Sequence, residues 1–169
     1  MSVVGIIANP SAGKDIRRLV SESRFVSNQE KINIIRRVIS ALIKMDIEHI
    51  LLMPDYGNLT REAIKDIDKT DIFEFISIPV FNSEQDTTKA ARIMEEKGAG
   101  AIVTLGGDGT NRATVLGTSM VPIMPISTGT NNAFPVTIEG TLAGICAASV
   151  AKGQVDIETC AQLLSLIHI

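Results

Sequence analysis

The sequence predicts an α/β fold: an open parallel sheet in a three-layer arrangement, with helices on both faces. Three observations predict it. Apolar runs rich in β-branched residues alternate with stretches of helical period along the chain. One of those runs, Ala101 to Leu105, reads as a continuous apolar strand, the pattern of a strand covered on both faces. Three runs also lead into loops of small, polar, backbone-exposing residues, as expected where an open parallel sheet meets its ligand.

The elements follow in order. Val3 to Ala8 is a strand, too short before polar Asn9 to be a signal peptide or a membrane span. Ser27 to Met45 is a helix: Ser27 with Glu30 makes a capping box, and Ile32, Ile35, Val38, Ile39, Leu42 and Ile43 recur at spacings of three and four. Ile50 to Met53 is a strand ended by Pro54. Leu59 to Ile67 is a helix and Phe73 to Ile78 a strand. Ser83 with Asp86 caps a helix through Ala90, Ile93 and Met94, which Gly98 stops. After Ala101 to Leu105 come a short helix, Thr110 to Leu116, and a strand, Ile123 to Ile126. A last helix, Leu142 to Ala151, is built of small residues that allow close packing.

Composition narrows the function. At 169 residues the chain is one ordinary domain, able to bury roughly 68–70% of its unfolded surface. Hydrophobic residues are 45% and charged residues 21%, and 16 basic against 19 acidic side chains leave a net charge of -3. That balance, with no Lys/Arg cluster, one Tyr and no Trp, speaks against nucleic acid and against an anionic membrane. Cys146 and Cys160 lie far apart, outside any CxxC pattern, and only two histidines accompany them. They read as buried thiols in a reduced, cytoplasmic protein rather than as metal ligands or a disulfide. His49, flanking a strand, reads as a satisfied histidine without a functional role.

The three loops carry the chemistry. They are Asn9-Pro10-Ser11-Ala12-Gly13-Lys14, Gly106-Gly107-Asp108-Gly109-Thr110-Asn111 and Ser127-Thr128-Gly129-Thr130-Asn131-Asn132. In the middle loop, Gly106, Gly107 and Gly109 can take positive φ and leave no Cβ between backbone N–H groups and a phosphate. A helix starting near Thr110 would aim its positive end at the same spot. Asp108 is the one carboxylate in that surface. It either holds a Mg²⁺ bridging phosphates or accepts the proton of an attacking hydroxyl, or else it merely caps the helix. The G-x-G-x-x-G fingerprint is not met. Nor is Walker A, because Ala8 and Asp15 stand where Gly and Ser or Thr belong. Lys14, Arg17 and Arg18 are phosphate partners or an exposed helix face. Asp86-Thr87 follows the third strand near the same edge, but capping already explains Asp86.

The motifs resemble a known family. Gly106-Gly107-Asp108-Gly109-Thr110 matches the GGDGT signature of the superfamily that holds the NAD kinases and the diacylglycerol and sphingosine kinases. Asn9-Pro10-Ser11-Ala12-Gly13 resembles the NPxSG turn of the lipid kinases. Pro125 to Pro135 sits between the lipid kinases' GTGN loop and the TGxxGF loop of the NAD kinases. Together with Lys14 to Leu19 and Asp86-Thr87, the pattern is most similar to the acetoin-catabolism protein X branch of the ATP–NAD kinases, over nearly all of residues 1–160.

The resemblance implies a Rossmann-like domain of the NAD-kinase amino-terminal type over residues 1–158. Residues 159–169 would be the truncated start of a β-rich second domain, or a non-native tail. It implies ATP and Mg²⁺ as cofactors, a small nucleotide such as NAD as substrate, and a homo-oligomer at full length. Asp108 maps onto the catalytic base and metal partner. Asn9, Gly106, Gly107, Gly109, Thr110, Asn111, Thr128, Gly129, Thr130, Asn131 and Asn132 map onto nucleotide-binding positions. Two departures matter: Asn132-Ala133-Phe134 replaces the usual Gly-Phe, which leaves the acceptor open, and the second domain's part of the cleft is missing. The expected activity is phosphoryl transfer from ATP to a hydroxyl, the fragment alone being inactive. The alternatives are a non-catalytic nucleotide-binding accessory of acetoin catabolism, and a lipid kinase, against which the absence of a basic amphipathic stretch counts.

Overall fold

A computed structural model describes residues 1–14, 26–130, 132–155 and 158. The expectations for Arg17, Arg18, Asn131, Cys160 and residues 159–169 lie outside the described residues. The strands are β1 (Val3–Ala8), β2 (His49–Leu52), β3 (Phe73–Phe75), β4 (Ala101–Gly106) and β5 (Ile123–Ser127). The helices are α1 (Asn28–Lys44), α2 (Leu59–Ile64), α3 (Glu84–Glu96), α4 (Asp108–Val115) and α5 (Gly140–Ala151). All strand pairs are parallel, in the order β3-β2-β1-β4-β5. This is the α/β sheet that the alternation predicts. Its strand order reverses direction between β1 and β4.

The alternation of side chains along β1 builds the two cores. Val4, Ile6 and Ala8 face α1 and α5, joining Ile35, Val38, Ile39 and Ala147. Val3 and Ile7 face the opposite side with Ala90, Ala91 and Met94 of α3. Strands buried on both faces explain why β1 and β4 read as unbroken apolar runs. α5 lies tightly on α1, as its small residues predict: a Cβ added at Gly144 would stand 2.7 Å from the Val38 carbonyl.

Local signals set most boundaries. The Ser27 hydroxyl accepts the Glu30 N–H at 3.1 Å, and Ser83 and Asp86 form a reciprocal capping box. Gly98 takes φ +80 beyond α3, the left-handed stop that its position implies. Four details differ from expectation. β3 ends at Phe75 rather than Ile78, because β2 turns away at Pro54; the Ile76 N–H still reaches the Leu52 carbonyl, at 3.0 Å. α2 closes at Ile64. α4 begins at Asp108, two residues early, with Gly107 as its cap. α5 begins at Gly140, because the Glu139 carboxylate accepts the Thr141 and Leu142 N–H groups.

Cys146 corrects the expectation of a buried thiol. It is exposed, on the α5 face that also bares Leu142 and Ile145, while Ala143 and Ala147 take the buried face. In a helix apolar on nearly every side, composition does not tell which face is covered. His49 is satisfied as expected: its Nε2 lies 2.8 Å from Glu74 Oε2. Lys97 and then His49 hold the Glu74 carboxyl below its ordinary pKa. Among the described residues no helix is long and apolar enough to cross a membrane.

Candidate active site

A cleft of about 430 Å³ opens at the carboxyl ends of the strands, where β1 and β4 part. Open α/β sheets bind their ligands at this reversal of strand order, because the two outgoing chains diverge there and leave a crevice. All three small-residue loops reach it, contributing Asn9 to Gly13, Gly107 to Thr110, and Gly129, Thr130 and Asn132.

The first and middle loops are joined by side chains. Asn9 Nδ2 donates to Thr110 Oγ1 at 3.0 Å, while Asn9 Oδ1 accepts the Ser11 N–H at 2.8 Å. Gly106 makes room for this, since a Cβ there would lie 2.3 Å from Thr110 Oγ1. The middle and third loops touch through glycines. A Cβ at Gly107 would stand 2.7 Å from Asn132 Oδ1, and one at Gly129 only 2.5 Å from the same atom. Asn132 is held between them, its Nδ2 donating to Ser127 Oγ at 2.8 Å.

This corrects the reason for the glycines. Gly106, Gly107 and Gly109 are not among the residues with positive φ, and Gly107 sits at φ -105. Close approach, not left-handed backbone, requires Gly106 and Gly107. In the first loop Gly13 does take φ +79. Gly109 differs again: a Cβ there would meet nothing nearer than Glu84 Oε1 at 3.8 Å, so its bare backbone faces open cleft.

The early start of α4 sharpens the electrostatics. Asn111 is the first residue whose N–H bonds within the helix, to the Gly107 carbonyl at 3.2 Å. The N–H groups of Asp108, Gly109 and Thr110 therefore have no intrahelical acceptor and stand at the positive end of the helix. Asp108 sits in this first turn, exposed. Its Oδ1 accepts the Phe134 N–H at 2.9 Å, and its two oxygens share the Ala133 N–H at 2.9 and 3.2 Å. The third loop is pinned at its base by the Ser127 N–H on the Val136 carbonyl, 2.9 Å. An ionised carboxylate has about four acceptor positions. Among the described residues the loop takes three, which leaves one for a proton or a cation.

Not every expected residue lines the cleft. Asn111 is fully buried, accepting from Thr104 Oγ1 at 2.7 Å and donating to the Gly107 carbonyl at 3.0 Å; it locks α4 onto β4 and does not face the cleft. Thr128 is likewise fully buried. Thr130 lines the cleft. The hydroxyls of Thr128 and Thr130 find no hydrogen-bond partner among the described residues. Lys14 is exposed at the end of the first loop.

Sequence reasoning missed one wall. Met53, Asp55 and Tyr56 follow β2, Val80 and Asn82 lie between β3 and α3, and Glu84 opens α3, all against the cleft. Their position just past strand ends was the available signal. Asp55 is nearly buried and caps α2, accepting the Leu59 and Thr60 N–H groups and the Thr60 hydroxyl. Asp86 is buried too, holding the Phe81 and Ser83 N–H groups as its capping role implies. Lys31 was also missed. It stands on the buried stripe of α1, three and four residues before Ile34 and Ile35.

A crevice at the strand reversal, framed by glycines and a helix N-terminus, is where an open parallel α/β sheet holds its ligand. Residues 4–155 match the family described as the ATP-NAD kinase N-terminal domain, and the chain belongs to that family. It is similar to "Acetoin catabolism protein X" of Cupriavidus necator, 37% identical over 160 residues. That alignment covers 90% of this chain and 45% of the relative, so the chain spans less than half the relative's length.

Proposed function

We propose that this chain is the nucleotide-binding part of an ATP-dependent kinase that phosphorylates a hydroxyl group on a nucleotide such as NAD. One observation carries the reading. Asp108 holds a carboxylate at the open N-terminus of α4, oriented by the Ala133 and Phe134 N–H groups with one acceptor position left over. The N–H groups of Asp108, Gly109 and Thr110, which have no intrahelical acceptor, bind and orient the terminal phosphates, and the open space over Gly109 admits them. Asp108 takes the proton of the acceptor hydroxyl as that oxygen bonds to the terminal phosphorus. The bond from phosphorus to the bridging oxygen of the nucleoside diphosphate breaks in the same displacement.

Among the described residues no cluster of three or more acidic, His or Cys side chains could hold a metal by itself. The exposed Asp108 carboxylate in the first turn of α4 suits Mg²⁺, which is held by one or two carboxylates with substrate phosphates completing its shell. Asp108 is the residue that would hold it where its remaining acceptor position takes the ion in place of the proton, and the ion would neutralise charge on the transferring phosphoryl group. A second region would supply the remaining wall of the cleft and choose the acceptor.

Asp108→Asn in the full-length protein keeps the shape and removes the base. Turnover of ATP with NAD should fall about 10²–10⁴-fold, read as phosphorylated product per enzyme. Unchanged turnover removes Asp108 from the chemistry. A second reading has its own support: the clasp on Ala133 and Phe134 gives Asp108 a structural task without any reaction. Calorimetry with ATP and NAD beside the product assay separates the two, because tight binding without product identifies a nucleotide-binding accessory protein.

A further inference from the structure

Lys31 has no exposed surface, yet it carries a cation. Its Nζ reaches up from α1 beneath the first loop and donates to three backbone carbonyls: Asn9 at 3.2 Å, Pro10 at 3.1 Å and Ala12 at 2.7 Å. An ammonium has three protons, and here each finds a carbonyl of one short turn. A buried lysine is a costly way to fill space, because burial penalises the charged form. The arrangement has to be explained by what the loop gains.

Two gains follow from the geometry. In a trans peptide the C=O of one residue and the N–H of the next point in opposite directions, and no peptide bond among the described residues is cis. Drawing the Ala12 carbonyl down onto Lys31 turns the Gly13 N–H the other way, toward the cleft that Gly13 lines. Holding the Asn9 carbonyl also fixes the residue whose side chain ties the first loop to Thr110. The ammonium itself lies directly below the loop, adding positive potential where water is excluded and screening is weak.

We propose that Lys31 is a positioning residue for a nucleoside triphosphate: its charge, acting from beneath, sets the Asn9 to Gly13 turn with an amide facing the phosphates. The inference rests on the reading of the cleft as a nucleotide site. Burial and the neighbouring Lys14 lower the Lys31 pKa to about 8, partly opposed by Asp55, so the charge is lost within an accessible pH range.

The test is ATP–Mg²⁺ binding to the full-length protein by calorimetry, above roughly pH 7.5, where the phosphate's own titration near pH 6 is complete. If the ammonium must be charged, affinity drops about tenfold for each pH unit above 8. Lys31→Arg keeps its charge and should show no such drop. Lys14 and Asp55, the charged groups facing Lys31, are common to both proteins and cancel in the comparison. Lys31→Met should bind weakly at every pH, and hydrogen exchange at residues 9–14 should rise in it. Should that variant fail to fold, the paired profiles of the native protein and Lys31→Arg still decide. ATP affinity in the native protein with the same pH dependence as in Lys31→Arg overturns the role of Lys31 and leaves the kinase reading intact. Absence of ATP binding by the native protein overturns both.

Discussion

Gly107 and Gly109 flank the same aspartate and have opposite surroundings. At Gly107 a methyl group would press against Asn132 Oδ1 at 2.7 Å, an atom held in place because its amide nitrogen is bonded to Ser127. At Gly109 it would enter open cleft. Gly107→Ala should therefore destabilise the fold by about 1–3 kcal/mol, as overpacking does. Gly109→Ala should leave stability unchanged or raise it by up to about 1 kcal/mol, since alanine favours the helix. ATP affinity should nevertheless fall at least tenfold, about 1.4 kcal/mol, because the methyl occupies the phosphate's space. Thermal unfolding and calorimetry on the two variants check both halves, and undiminished ATP binding by Gly109→Ala would move the phosphates elsewhere. The glycines and the aspartate were legible in the sequence because small residues around a lone carboxylate are rare. The reason for each glycine was not, because it depends on what a distant loop brings to 2.7 Å. Asn111 shows the same limit: next to Thr110 in sequence, it points into the core at Thr104, and helical rotation of about 100° per residue separates the two fates.

Among the elements, the α1–α5 contact is the tightest test of packing. Gly140 and Gly144 let α5 lie against the α1 backbone, and a Cβ at Gly144 would meet both the Val38 carbonyl and Ala41 at 2.7 Å. Alanine in a helix interior normally gains about 1 kcal/mol over glycine. Here the clash is with backbone, which cannot rotate away. Gly144→Ala should therefore show a net loss of about 1–2 kcal/mol, lowering Tm by about 2–4 °C per kcal/mol in a domain of this size. A Tm at or above that of the native protein would mean that the helices stand further apart. Boundaries set by the usual capping residues Ser27, Ser83 and Gly98 were legible; those set by a partner strand, or by less common caps such as Glu139 and Gly107, were not. β3 stops where β2 leaves it, and no residue between Ile76 and Ile78 announces that. The outward face of Cys146 was not legible for a related reason: a helix of small apolar residues has no polar stripe to mark its exposed side.

At the scale of the whole molecule, alternating runs and helical stretches were enough to imply a parallel sheet, and its strand order then brought three separated loops to one crevice. The wall from Asp55 to Glu84 went unread because its residues are ordinary; only the topology gives them a place. Lys31 went unread because a lysine on an apolar stripe looks like a flaw until the carbonyls beneath the first loop are seen. That buried cation also leaves a mark on global stability. The Lys31 pKa is lowered from 10.5 to about 8 in the folded chain. Above pH 10.5 the side chain is neutral in both states. As pH falls toward 8, the unfolded chain binds a proton that the folded chain refuses, so stability is lost across that window. Below pH 8 both states are charged and the loss is complete. The full difference is roughly 3 kcal/mol. Other lysines titrate in the same range, so the measurement is a comparison: urea unfolding of the native protein and Lys31→Met at pH 7.5 and at pH 10. The native protein should gain stability relative to Lys31→Met on going to the higher pH, by about 2–3 kcal/mol. Parallel behaviour of the two would mean that Lys31 is not desolvated as its three carbonyl partners and lack of exposed surface imply.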